Sequence, residues 1–114
     1  MSRDVAMYLY DMQRAAKAIR EFCRDKTYPQ YSRDLLLRSA VERQFEIIGE
    51  ALNKLGRLDP AAQARVRDYR NIISFRNILI HGYAELDDGL VWSAVIDRLP
   101  QLETDVNALI AEFG

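Results

Sequence analysis

Apolar residues recur at alternating steps of three and four along almost the whole chain, and polar residues fill the gaps. From about Arg3 to Arg24, Val5, Tyr8, Met12, Ala15, Ile19 and Phe22 form one seam, with Asp4, Asp11, Arg14, Lys17 and Glu21 on the solvated side. Asp25 to Tyr31 reads as a connector broken at Pro29, with Tyr28 and Tyr31 clamping the turn onto the core rather than stacking on a base. Ser32 is a suitable cap for a second helix running to about Leu55 and closed by Gly56. Its main seam is Leu37, Val41, Gln44, Ile48, Ala51 and Leu55, widened by Leu36, Ala40 and Ile47 on one side and by Phe45 and Leu52 on the other. That arc covers about half the circumference, more than one neighbouring helix needs. Glu42, Arg43, Glu46 and Glu50 fill the rest as a solvated face, with Arg43 the exception at its apolar edge.

Asp59-Pro60 starts a short third helix to about Asp68. A further helix spans about Tyr69 to His81, followed by Gly82 as a residue suited to a left-handed exit. Asp87 or Asp88 caps the last stretch, in which Trp92, Val95, Leu99, Leu102, Val106, Leu109 and Phe113 keep their phase across Pro100. This predicts one helix kinked at Pro100, two collinear short helices being the alternative. Nothing alternates with the period of a strand. The expected fold is all-α: an up-and-down bundle of four long helices plus a short one, in a single domain over residues 1–114.

Composition narrows the class. With 114 residues, 49% hydrophobic and 29% charged, the chain is sized for one globular core. No apolar run approaches the ~20 residues of a membrane span and no signal-peptide core opens the chain, so a cytoplasmic protein is expected. Cys23 is the single cysteine and reads as inert packing; with one histidine besides, no zinc cluster is available within a chain and no cofactor is implied. Sixteen basic against seventeen acidic residues argue against a general nucleic-acid binder, though not against a small enzyme with a local basic cleft.

The chemistry gathers in Arg76-Asn77-Ile78-Leu79-Ile80-His81-Gly82-Tyr83. At about 100° per residue, Arg70, Ser74, Asn77 and His81 fall on one stripe, opposite Ile72, Phe75 and Leu79. A polar stripe ending in a histidine suits a cleft or a partner; the plainer alternative is a histidine capping the last carbonyls. Imidazole can move a proton at neutral pH, and guanidinium holds phosphate with two donors. His81 and Arg76 are therefore the catalytic candidates for metal-independent RNA cleavage, with Asn77, Arg70 and Ser74 in support and Arg65 and Arg67 adding to a basic patch. Five residues apart, Arg76 and His81 stand about 140° apart on a regular helix. Two chains about a two-fold axis would bring both types to one cleft. The wide arc of the second helix and the Ile73 and Ile80 flank of the motif helix would supply that interface.

Arg76, four residues, His81 and then Tyr83 resemble the motif of the HepT-like toxins of the HEPN superfamily. Ala40-Val41-Glu42-Arg43, Ile47-Ile48-Gly49-Glu50-Ala51, Val91-Trp92 and Leu99-Pro100 follow in the expected order. The resemblance implies a homodimeric ribonuclease toxin of a type VII toxin–antitoxin pair, with its cleft at the dimer junction. Its partner would be a minimal nucleotidyltransferase antitoxin that adds AMP to Tyr83. The alternative is a non-catalytic nucleotide- or substrate-binding module partnering such a transferase.

Overall fold

In the computed structural model, residues 2–82 and 87–113 are described. They form an all-α bundle in which α1 (Arg3–Phe22), α3 (Leu35–Leu58), α5 (Tyr69–His81) and α7 (Leu99–Phe113) are the long members. The short pieces are α2 (Tyr28–Arg33), α4 (Pro60–Ala64) and α6 (Asp88–Ser93). Helix α3 lies centrally, packed on α1 at one flank and on α5 at the other, while α1 also packs on α7. Among the described residues no helix is long and apolar enough to cross a membrane.

The seams are those expected, with shifts of one position where a polar edge or a smaller side chain competes. On α1 the buried set is Val5, Leu9, Met12, Ala15, Ala16 and Ile19. Leu9 replaces Tyr8 at the centre because the Tyr8 hydroxyl favours the rim, and Phe22 stays exposed. On α3, Leu37, Val41, Phe45, Ile48, Ala51, Leu52 and Leu55 are buried, but Leu35 and Leu36 remain 67% and 81% exposed. The wide apolar arc is therefore only partly covered within one chain.

Four boundaries differ from the expected ones. The connector around Pro29 is itself a helical turn: Thr27 accepts from the Gln30 amide, and the Gln30 side chain accepts from the Thr27 amide, a reciprocal cap with proline at the start. Asp34, not Ser32, then caps α3 by accepting from Leu37 N–H at 3.0 Å. Gly56 does not end α3, which runs on to Leu58. Asp59 caps α4 as its Asp-Pro pair requires, but α4 ends at Ala64 rather than near Asp68.

The irregularity near Pro100 lies just before it. Residues Ala94–Arg98 form a π turn in which Leu99 N–H bonds Ala94 C=O. A proline at position 100 offers no N–H and crowds the carbonyl four residues back, and the widened turn accommodates it without ending the helix.

Ser32, Arg38 and Asp88 join α2, α3 and α6. Ser32 Oγ donates to Asp88 at 3.4 Å, Arg38 stands 3.6 Å from the same carboxylate, and the Arg38 guanidinium also donates to the Ser32 carbonyl. Beside them, burial holds the Glu42 carboxyl above its ordinary range, with Asp88 and Glu46 adding to the effect and Arg38 opposing it. A carboxyl raised in the folded state binds its proton more tightly there, so it costs stability once ionised and nothing while protonated. Glu42→Gln is expected to raise Tm at neutral pH, with the gain shrinking as pH falls through the raised folded-state value and gone once the ordinary carboxylate range is passed. Melts showing a lower Tm for Glu42→Gln at neutral pH would overturn this.

Candidate active site

Helix α5 starts from a tight turn. Asp68 adopts the left-handed conformation, which Asp tolerates better than most residues. Just before it, Arg67 is fixed by Asp105 of α7, which accepts from the Arg67 backbone N–H at 2.9 Å and from its guanidinium at 3.0–3.2 Å. Leu79 is buried, Ile72 and Phe75 pack on the core, and Phe75 meets Phe45 of α3 edge-on with 5.3 Å between centroids.

The expected stripe exists as a ridge. Arg70, Ser74, Asn77 and His81 are all exposed along α5. Arg70 lies over the Tyr69 ring, 5.5 Å from its centroid. His81 is the last residue of the helix and makes no side-chain hydrogen bond among the described residues, so it does not cap the final carbonyls there. Gly82 leaves the helix with φ −114° and ψ 32°, not in the left-handed region expected. Its N–H still bonds Ile78 C=O at 2.8 Å, which keeps the chain on the helical side of the turn. Tyr83 lies outside the described residues.

Arg76 stands on the flank facing α3, off the ridge. Its stem crosses Gly49 so closely that a Cβ there would lie 2.3 Å from Arg76 Cβ. Its Nη1 donates to Asn77 Oδ1 at 3.0 Å, and its Nε is buried with no partner. Asn77 thus engages the guanidinium of Arg76 rather than the imidazole. Arg76 forms no ion pair among the described residues, although its charge, after that of Lys54, helps keep the Glu50 carboxyl below its usual range.

The basic patch is smaller than the sequence suggested. Arg65 pairs with Glu112 at 2.6 Å and Arg67 with Asp105, so neither is free to attract phosphate. Arg43 is largely exposed and pairs with Glu46 at 3.5 Å, joining the solvated face after all. Sequence reasoning missed Arg98, the last residue of the π turn. Together with Asn71, Ser74, Phe75, Ile78, Leu90 and Ala94 it lines a groove of about 240 Å³ beside the ridge, opposite Arg76. Among the described residues no three His, Cys, Asp or Glu side chains converge in the manner of a metal site.

The Ribonuclease HepT-like family profile matches residues 12–109. A candidate RNase of Methanocaldococcus jannaschii is 34% identical over 104 residues, covering 91% of this chain and 94% of that protein. A longer protein of the same archaeon, named as a gamma-glutamylcyclotransferase and candidate RNase, is 30% identical over 113 residues, which are 99% of this chain and 50% of that protein. A Thermococcus cleftensis protein assigned as ribonuclease HepT is 33% identical over 107 residues, covering 90% and 93%. No solved structure matches the chain significantly. Since the profile spans most of the sequence, and the first and last of these relatives align along nearly their full length, the chain belongs to the HepT-like ribonuclease family of the HEPN superfamily.

Proposed function

We propose that this protein is an endoribonuclease toxin that cuts RNA without a metal, using His81 and Arg76 in a cleft between two copies of the chain. The observation that carries the reading is the setting of Arg76: a guanidinium held by Asn77, unpaired with any described carboxylate, on the same helix as an exposed imidazole. His81 takes the proton of a ribose 2′-hydroxyl as its oxygen attacks the adjoining phosphorus. The bond to the 5′-oxygen breaks, that oxygen takes a proton from water, and a 2′,3′-cyclic phosphate remains. Arg76 balances the charge that builds on the phosphoryl oxygens. Arg70 and Ser74, further along the ridge, meet the neighbouring backbone.

The homodimer is supported by the spacing of the two groups and by the uncovered apolar arc of α3. The test is RNA cleavage by the purified protein in excess chelator, with cyclic-phosphate ends read by mass. Intact RNA under these conditions would defeat the reading and favour a nucleotide-binding module.

The reading extends to control in the cytoplasm by a minimal nucleotidyltransferase antitoxin, as the other half of a type VII pair. Transfer of AMP from ATP to the Tyr83 hydroxyl, with release of pyrophosphate, would add a base and a negative charge next to His81 in sequence. Both would compete with RNA. Co-expression with the cognate transferase is expected to add one or more AMP units at Tyr83 and abolish cleavage, while Tyr83→Phe escapes. Peptide mapping that places the adduct on Tyr69, leaving Tyr83 bare, would refute it.

A further inference from the structure

Helix α5 is flanked by two unlike surfaces, and only the one holding Arg76 enters the mechanism above. The other is the groove closed on its far side by Leu90 of α6 and by the π turn. Ile78 and Leu90 are 47% and 48% exposed, large apolar side chains that line this one groove. Ser74 and Asn71 offer a hydroxyl and an amide at the rim, and Arg98 offers a guanidinium that pairs with no carboxylate among the described residues. Flat apolar walls, a few directional polar groups and one free cation are what an unstacked base and its phosphate require.

Two further observations bear on the occupant. The ridge carries Arg70 and the groove Arg98, and no acidic side chain lines the groove, so the two together present a positive edge. A second copy laid on this groove would oppose like charges, whereas a phosphodiester strand complements them. The floor is also loosely filled: Phe75, Ala94 and Arg98 line both the groove and a small void of about 20 Å³ beneath it. The π turn widens the helix at that point, so the floor can adjust when a ring settles on it.

We propose that this groove is a nucleotide subsite, which seats one base beside the bond to be cut between Ile78 and Leu90 and holds the adjoining phosphate on Arg98. The proposal rests on the ribonuclease reading, because a strand lying on the ridge reaches the groove through the shared Ser74.

The test uses the full chain as His81→Ala, which binds without cutting, and fluorescent oligoribonucleotides of about ten residues made of A, C or U alone. Adding Arg98→Gln is expected to weaken binding about tenfold, the size of one charge-assisted hydrogen bond. It should also flatten the salt dependence by about 0.7 in log–log slope, the increment of one phosphate contact on a single strand. Arg98→Lys should restore the slope. Asn71→Asp, on the exposed rim, should weaken binding similarly with no effect on folding, and Ser74→Ala should change the ranking of the three oligomers. Unchanged affinity and slope in both Arg98→Gln and Asn71→Asp overturn the subsite; cleavage by the wild-type chain then shows that the ribonuclease reading stands without it. A wild-type chain that neither binds nor cuts defeats both. Loss of dimer by light scattering, with RNA affinity unchanged, would reassign the groove to contact between copies.

Discussion

Replacing His81 by alanine is expected to lower RNA cleavage by about two to four orders of magnitude, the usual yield of one positioned general acid–base group. Arg76→Ala should cost about two to three orders, as removal of one charge-stabilising donor set does. The fold should survive both changes. His81 is exposed at the end of α5, and truncating Arg76 removes a buried nitrogen that already lacks a partner. Unchanged cleavage by folded His81→Ala would remove the histidine from the mechanism, and with it the metal-free route.

The same two variants decide whether the site is shared between copies. On a regular helix Arg76 and His81 point about 140° apart, which suits an arginine from one copy acting with a histidine from the other. Mixed and allowed to exchange, the two inactive proteins would form hybrid dimers carrying one intact site and one doubly damaged site. Activity should then recover to about a quarter of the wild-type level, since half the dimers are hybrids with one of two sites working. A site within one chain would recover nothing. A monomer by light scattering at micromolar concentration would exclude the shared site outright.

The parts of this molecule that were legible in the sequence repeat. The seams of α1, α3 and α7 recur every three or four residues, so small errors such as Tyr8 for Leu9 do not change the architecture. The bounds of α5 were equally readable, because an apolar rhythm runs unbroken up to His81. What was hidden depends on single contacts between distant residues. Arg65 and Arg67 looked like phosphate binders because Glu112 and Asp105 lie far along the chain. Arg98 has no counterpart in the sequence reading because nothing in local spacing announces a π turn. The turn at Pro29 is a different case, since Thr27 and Gln30 stand at cap spacing and make the proline a helix start as much as a breaker.

Gly49→Ala is expected to lower both stability and cleavage, and the combination separates it from ordinary helix changes. Gly49 lies in the interior of α3, where glycine costs about 1 kcal/mol relative to alanine, so the substitution would stabilise the helix were there room for it. There is none. The new Cβ would lie 2.3 Å from Arg76 Cβ and 2.7 Å from Arg76 Cγ. Cβ is fixed to the backbone of α5, so no rotamer change relieves the contact and the two helices must part. Overpacking of this kind costs about 1–3 kcal/mol, which exceeds the propensity gain over most of that range and should lower Tm by several degrees. Parting the helices also lifts the Arg76 guanidinium away from its place beside Asn77, so cleavage should fall even below the melting range. Gly56→Ala is the control on the same helix. Its Cβ would meet only the side-chain amide of Gln63, 2.0 Å away at the end of a flexible chain, and moving that amide gives up one hydrogen bond to Leu52 C=O. Gain and loss nearly offset there, and α5 is untouched. Gly56→Ala should therefore keep wild-type cleavage with a small change in Tm, while Gly49→Ala loses both. If Gly49→Ala matches the wild type in Tm and in rate, the close passage of Arg76 over α3 does not position the guanidinium.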